Sequence, residues 1–172
     1  MKVNYLGGYT RLFMLIMAAL TVGCNPLADN DASDPEIPKA SMTVSAISAD
    51  GSINPANLWS GQWRVVSIWA EWCKPCWQEI PELNQFNSLQ KESNIKLLGF
   101  NFDELEAADL ALISQKMAIK FPVLTQWPAQ WAVPEIPGLP ATIIISPDDD
   151  IDQILLGPQT VESLQAALVQ AK

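Results

Sequence analysis

Histidine is absent from this chain, and cysteine is scarce, with three among 172 residues. A structural zinc site takes about four nitrogen or sulfur ligands. Two closely spaced cysteines and no histidine fall short of that, so no metal is expected, and no cofactor either. Basic residues are also few, ten Lys and Arg against 19 Asp and Glu, for a formal net charge of −9. Loss of residues 1–23, which hold Lys2 and Arg11 but no acid, leaves −11. That balance excludes nucleic acid and anionic lipid surfaces as partners. A membrane-spanning run is missing too: residues 12–22 are apolar apart from Thr21, but they are eleven where a spanning helix needs roughly 20. No internal repeat is apparent, and the length suits one domain with a single core.

What is present begins with an export signal. Lys2 and Arg11 precede the short apolar run, as the n-region and h-region of a secretory signal do. The run ends Leu20-Thr21-Val22-Gly23-Cys24, which resembles the lipobox of bacterial lipoproteins. That resemblance implies that Cys24 is lipidated and becomes the mature N-terminus; the alternative is ordinary cleavage nearby, which leaves Cys24 a free or lost thiol. Several acyl chains suffice for stable anchoring, at about 0.8 kcal/mol per buried methylene. Asn25, rather than Asp, follows the cysteine. In a Gram-negative source, the lipoprotein sorting rule then implies the outer membrane, facing the periplasm. Residues 24–41, rich in Asp, Asn and Pro, read as a solvated tether, and 42–172 as the folded domain.

Within that domain, residues 43–47 suit one arm of a hairpin turning at Ser48-Ala49-Asp50-Gly51. Residues 63–70 and 95–102 read as buried strands, 121–125 as a short one, and 141–146 with 151–156 as an antiparallel pair across Pro147-Asp148-Asp149-Asp150. Three helices alternate with them. The first has Ile80, Leu83, Phe86 and Leu89 at helical spacing and a kink expected at Pro81. The second starts at Asp103-Glu104, with Leu105, Ala108, Leu112, Ile113 and Met117 facing inward, and the third is capped by Thr160, with Val161, Leu164, Leu168 and Ala171 inward. The expected fold is α/β, a mixed central sheet flanked by helices, with an N-terminal hairpin extension.

The chemistry lies in Trp72-Cys73-Lys74-Pro75-Cys76, between a strand and a helix. Cysteines two residues apart at a helix start close a disulfide with little backbone movement. Cys73, at the helix N-terminus, meets unpaired N–H groups and the positive end of the helix dipole, which stabilise a thiolate, whereas Cys76 lies one turn inside. Cys73 is thus the attacking sulfur and Cys76 the resolving one. Pro75 suits an early helical position, and Lys74 adds positive charge. A purely structural disulfide is the competing reading, although so short a loop gains little from chain entropy. Outside the cytoplasm a lone CxxC cycles only if a partner supplies or removes electrons.

Trp69-Ala70-Glu71-Trp72-Cys73-Lys74-Pro75-Cys76-Trp77-Gln78-Glu79-Ile80-Pro81 is similar to the WAxWCxPCxxExP signature of the TlpA/ResA-like family of thioredoxin-like proteins, membrane-tethered thiol-disulfide reductases outside the cytoplasm. Gly138-Leu139-Pro140-Ala141-Thr142 resembles the family's Gly-x-Pro-x-Thr element. The resemblance implies a thioredoxin-like fold, a cis bond before Pro140 that lies against the cysteines, and a substrate surface including Trp72, Lys74, Pro75, Leu139 and Pro140. It implies a membrane thiol-disulfide donor and client proteins with cysteines or disulfides, apocytochrome c among the family's clients. Ordinary thioredoxins carry a buried Asp six residues before the first cysteine, where this chain has Ser67. Glu79, three residues after Cys76 and on nearly the same helix face, matches the acid of the TlpA-like branch and is expected to be partly buried near the cysteines and to tune or protonate Cys76 during turnover. The segment 126–137, with Trp127 and Trp131, is longer than the pattern; these rings either form an apolar rim with Trp72 or pack on the domain's own core. The runner-up function is a binding or holding module with a structural disulfide.

Overall fold

The computed structural model describes residues 44–55, 59–132 and 134–171, all within the compact unit Ser41–Lys172. The signal, the lipidation site Cys24 and the tether expected at 24–41 lie outside the described residues. The strands are β1 (Ser45–Ile47), β2 (Ile53–Pro55), β3 (Trp63–Trp69), β4 (Ile95–Asn101), β5 (Val123–Leu124), β6 (Ala141–Ile145) and β7 (Ile151–Leu156), and the helices α1 (Lys74–Leu89), α2 (Ala107–Lys116) and α3 (Val161–Gln170). They form one mixed sheet in the order β2-β1-β5-β4-β3-β6-β7. The expected hairpin is β1 and β2, antiparallel, and it docks antiparallel on β5.

Side-chain alternation along the strands separates two cores. Val65 and Trp69 of β3 and Leu97 of β4 join the core beneath all three helices, while Val66, Ile68, Leu98 and Phe100 join a core on the other face. Helices α1 and α2 share one face because β3, β4 and β5 are successive parallel neighbours, and α3 joins the same core through Val161, Leu164 and Leu168. Right-handed crossovers that step in one direction across a sheet leave their helices on the same side. Among the described residues the second core is covered by loop side chains instead, Trp59, Trp127, Trp131 and Ile136. There the buried Arg64 pairs with Asp149 at 2.8 Å, donates to the carbonyls of Trp59 and Ser146, and lies 5.4 Å from the Trp131 ring centroid.

Helix α1 runs through Pro81 and buries Cys76, Glu79, Ile80, Leu83 and Phe86. Leu89, expected on that face, is exposed at its last turn. Helix α2 departs further. It starts at Ala107, not at Asp103-Glu104, because the side chain of Asn101 accepts from the Asp103 N–H and turns the chain, and Glu104 takes φ +50°. Its inward residue is Leu110, with Ile113 partly buried and Met117 buried just beyond, while Ala108 and Leu112 are exposed.

Helix α3 has the expected start. Thr160 Oγ1 accepts from the Ser163 N–H, and Ser163 Oγ accepts from the Thr160 N–H, a reciprocal capping box. Thr160→Ala is expected to lower stability by about 1 kcal/mol, measured as the urea midpoint at unchanged slope.

Candidate active site at Cys73 and Cys76

Strand β3 carries the chain to its C-terminal edge, where Ala70 accepts from the Cys73 N–H and the backbone turns into α1. Cys73 is the N-cap of α1, and its sulfur accepts from the Cys76 N–H at 3.3 Å. Cys73 and Cys76 are joined as a disulfide. Cys73 is 4% exposed and Cys76 0%, so of the two residues only Cys73 has any surface. Lys74 is exposed beside it, and Pro75 is half-buried in the first turn.

One turn of α1 after Cys76 lies Glu79, 2% exposed. Its Oε1 accepts from Ser67 Oγ at 3.3 Å and its Oε2 from the Gln159 N–H at 3.1 Å. Burial pushes its carboxyl up to about 7, while the Gln159 and Ser67 hydrogen bonds pull the other way without prevailing. Ser67, where ordinary thioredoxins have their acid, therefore holds a carboxyl that arrives from the helix. Thr142, the cross-strand partner of Ser67, is fully buried, and its hydroxyl has no hydrogen-bond partner among the described residues.

Two partners escaped sequence reasoning. Gln159 contributes a backbone N–H, which no side-chain pattern announces. Glu82, one turn after Glu79, accepts from the Val161 N–H at 3.1 Å, so two carboxyls of α1 meet the start of α3, where helix N–H groups lack partners.

The Leu139-Pro140 bond is cis, as expected. Pro140 is buried, and Leu139, half-buried, packs against both cores just before β6 begins. Trp72 is 65% exposed; its Nε1 donates to Asp103 Oδ2 at 3.0 Å and its ring meets Phe102 edge-on at 6.3 Å. Trp131 is not part of a rim. It is 5% exposed in the second core, and its Nε1 donates to Asp149. Trp127 is half-buried, edge-on to both Phe100 and Trp131.

The family model for AhpC/TSA matches residues 30–154. The chain belongs to the AhpC/TSA family. Among curated proteins it is similar to the thiol-disulfide oxidoreductase ResA of Bacillus cereus, 28% identical over 109 residues, which covers 63% of this chain and 62% of that protein. ResA of Geobacillus kaustophilus is 25% identical over 113 residues, covering 65% and 64%. The chain thus spans less than two thirds of the length of these relatives. Among solved structures, a thiol:disulfide interchange protein of the thioredoxin family from Chlorobium tepidum superposes with a TM-score of 0.58 at 20% identity, covering 74% of this chain and 91% of that one. StoA from Bacillus subtilis gives 0.54 at 20% identity, covering 71% and 92%. This AhpC/TSA chain accordingly has a thioredoxin-like fold, and its CxxC stands where strand and helix of that fold meet.

Proposed function

We propose that this protein is an extracytoplasmic thiol-disulfide oxidoreductase that reduces disulfides in exported proteins. The observation that carries the reading is the stacking of three groups at the N-terminus of α1: Cys73 at the cap, Cys76 beneath it, and a buried Glu79 whose carboxyl titrates near neutral pH. The Cys73 thiolate attacks a client disulfide, forming a mixed disulfide and releasing one client thiolate. Cys76 gives its proton to the Glu79 carboxylate and attacks Cys73, releasing the second client thiol and leaving Cys73–Cys76 oxidised. Two electrons have then passed to the client. A membrane thiol donor restores the dithiol by the reverse exchange, with Glu79 returning the proton to Cys76.

Similarity to the ResA proteins and the lipobox-like run ending at Cys24 support a lipid-anchored position outside the cytoplasm. Cysteine pairs of apocytochrome c are one client class consistent with it. The surface for clients comprises Trp72, Lys74, Pro75 and Leu139, with the buried Pro140 behind it.

The equilibrium potential of Cys73–Cys76 in the full chain, titrated against defined thiol-disulfide buffers, tests the direction. A value near or below about −270 mV is expected for a reductase, and one near about −120 mV makes the protein an oxidant. A pair that cannot be cycled leaves a structural disulfide on a binding module.

A further inference from the structure

The edge that carries Cys73 has a second feature. An apolar cavity of about 180 Å³ opens between Ile68, Phe102, Trp127, Pro134 and Ile136, with Glu104 in its lining. Ile68 lies near the C-terminal end of β3, and Phe102 follows directly on β4. The cavity therefore opens at the strand ends from which the chain turns into Cys73. Trp72, next to Cys73 in sequence, touches Phe102 edge-on, and Phe102 lines the cavity, so two rings in contact lead from the residue beside Cys73 to the cavity. Both rings are open to solvent, at 65% and 48%. A single exposed aromatic residue needs no explanation, but two in contact that lead into a cavity mark a docking surface.

We propose that this cavity receives one large apolar side chain, aromatic by preference, from an extended client segment whose cysteine reacts at Cys73, with a basic client residue beside it. The proposal rests on the thiol-exchange reading above and specifies its substrate. The volume suits one side chain, and Phe102 and Trp127 offer the ring edges and faces that an aromatic guest pairs with. The exposed carboxyl of Glu104 is in the lining, and the adjacent carboxyl in the chain, Asp103, accepts from Trp72 Nε1, on a chain of net charge −9, which favours a cationic neighbour. An extended segment advances about 3.3 Å per residue with side chains on alternate sides. Cavity and sulfur are fixed relative to each other, so the guest side chain sits at one spacing from the client cysteine.

The test uses the reduced full chain and a series of Ala- and Ser-based peptides, each a mixed disulfide with glutathione, in which one Trp is moved stepwise along the peptide relative to the cysteine. Peptide reduction is followed as the second-order rate of Cys73–Cys76 oxidation. One spacing is expected to react about tenfold faster than the Trp-free peptide, and a Lys next to that Trp to add to the gain. Phe102→Ala and, separately, Trp127→Leu abolish the preference, and Glu104→Lys reverses the effect of the neighbouring Lys. Equal rates at all spacings, or a preference unmoved by Phe102→Ala, overturn the proposal. So does a concentration-dependent dimer that Phe102→Ala dissolves, which assigns the cavity to a second copy of the chain. Oxidation of the unmodified chain by glutathione disulfide reads the thiol chemistry separately: if it proceeds while the series is flat, the pocket fails and the oxidoreductase stands, and if nothing oxidises the dithiol, both fall.

Discussion

Cys73→Ser is expected to reduce disulfide exchange to the uncatalysed rate, and Cys76→Ser to stop turnover after one event, with one client molecule held covalently per chain. The asymmetry follows from position. Cys73, at the cap of α1 and the more exposed of the two sulfurs, is the one a client can reach. A serine hydroxyl there offers no thiolate to attack a disulfide. With Cys76 replaced, the first attack proceeds, but no second sulfur releases the product. Non-reducing mass spectrometry after exposure to a disulfide peptide distinguishes the variants: the Cys76→Ser chain carries a peptide adduct removable by dithiothreitol, and the Cys73→Ser chain carries none. Adducts of equal yield on both would make the sulfurs equivalent and remove the assignment of attacker and resolver.

The second large effect concerns Glu79 and pH. Its carboxyl, ordinarily near 4.5, is raised to about 7 in the fold by burial. A raised acid pKa means that the native chain binds a proton where the unfolded chain has lost it. Its contribution to stability is therefore complete below about pH 4.5 and is lost as pH rises through about 7. The shift corresponds to about 3 kcal/mol across that window. Glu79→Gln keeps the volume and an amide in place of the neutral acid, and no longer ionises. The stability difference between unmodified chain and variant, from urea unfolding of the oxidised forms at pH 5, 6, 7 and 8, should therefore move steadily in favour of Glu79→Gln as pH rises. The same variant should lose the inflection near pH 7 in the rate of client release by Cys76. A difference independent of pH would show that Glu79 does not titrate in this window, and would remove it from the proton transfers.

Much of this site was legible in the chain itself. The CxxC, its place after a β-rich run, Glu79 one turn further on and Pro140 before a strand depend on local spacing, which sequence displays. The parts that were not legible depend on tertiary contacts. Apolar periodicity pointed to Leu112 in α2, but the side chain of Asn101 turns the chain, the helix starts later, and Leu110 faces inward. The sequence left Trp131 between an apolar rim and the domain's own core, because its neighbours are loop residues; Arg64, 67 positions earlier, and Asp149, 18 later, draw it into the second core. Gln159 was invisible as a partner of Glu79 because the group that matters is its amide N–H, 80 positions away.

That amide gives the end of the chain an unexpected share in the chemistry. Glu79 and Glu82 accept from the Gln159 and Val161 N–H groups that lead into α3, and Glu79 follows Cys76 by one turn of α1. Helix α3 is thus tied through its first residues to the acid that the proposed proton transfers use. A chain cut before Gln159 would retain every strand of the sheet and both cysteines, but it would lose the Gln159 amide and the buried Val161, Leu164 and Leu168 that close the core on that side, and the Glu79 carboxyl would return towards an ordinary one.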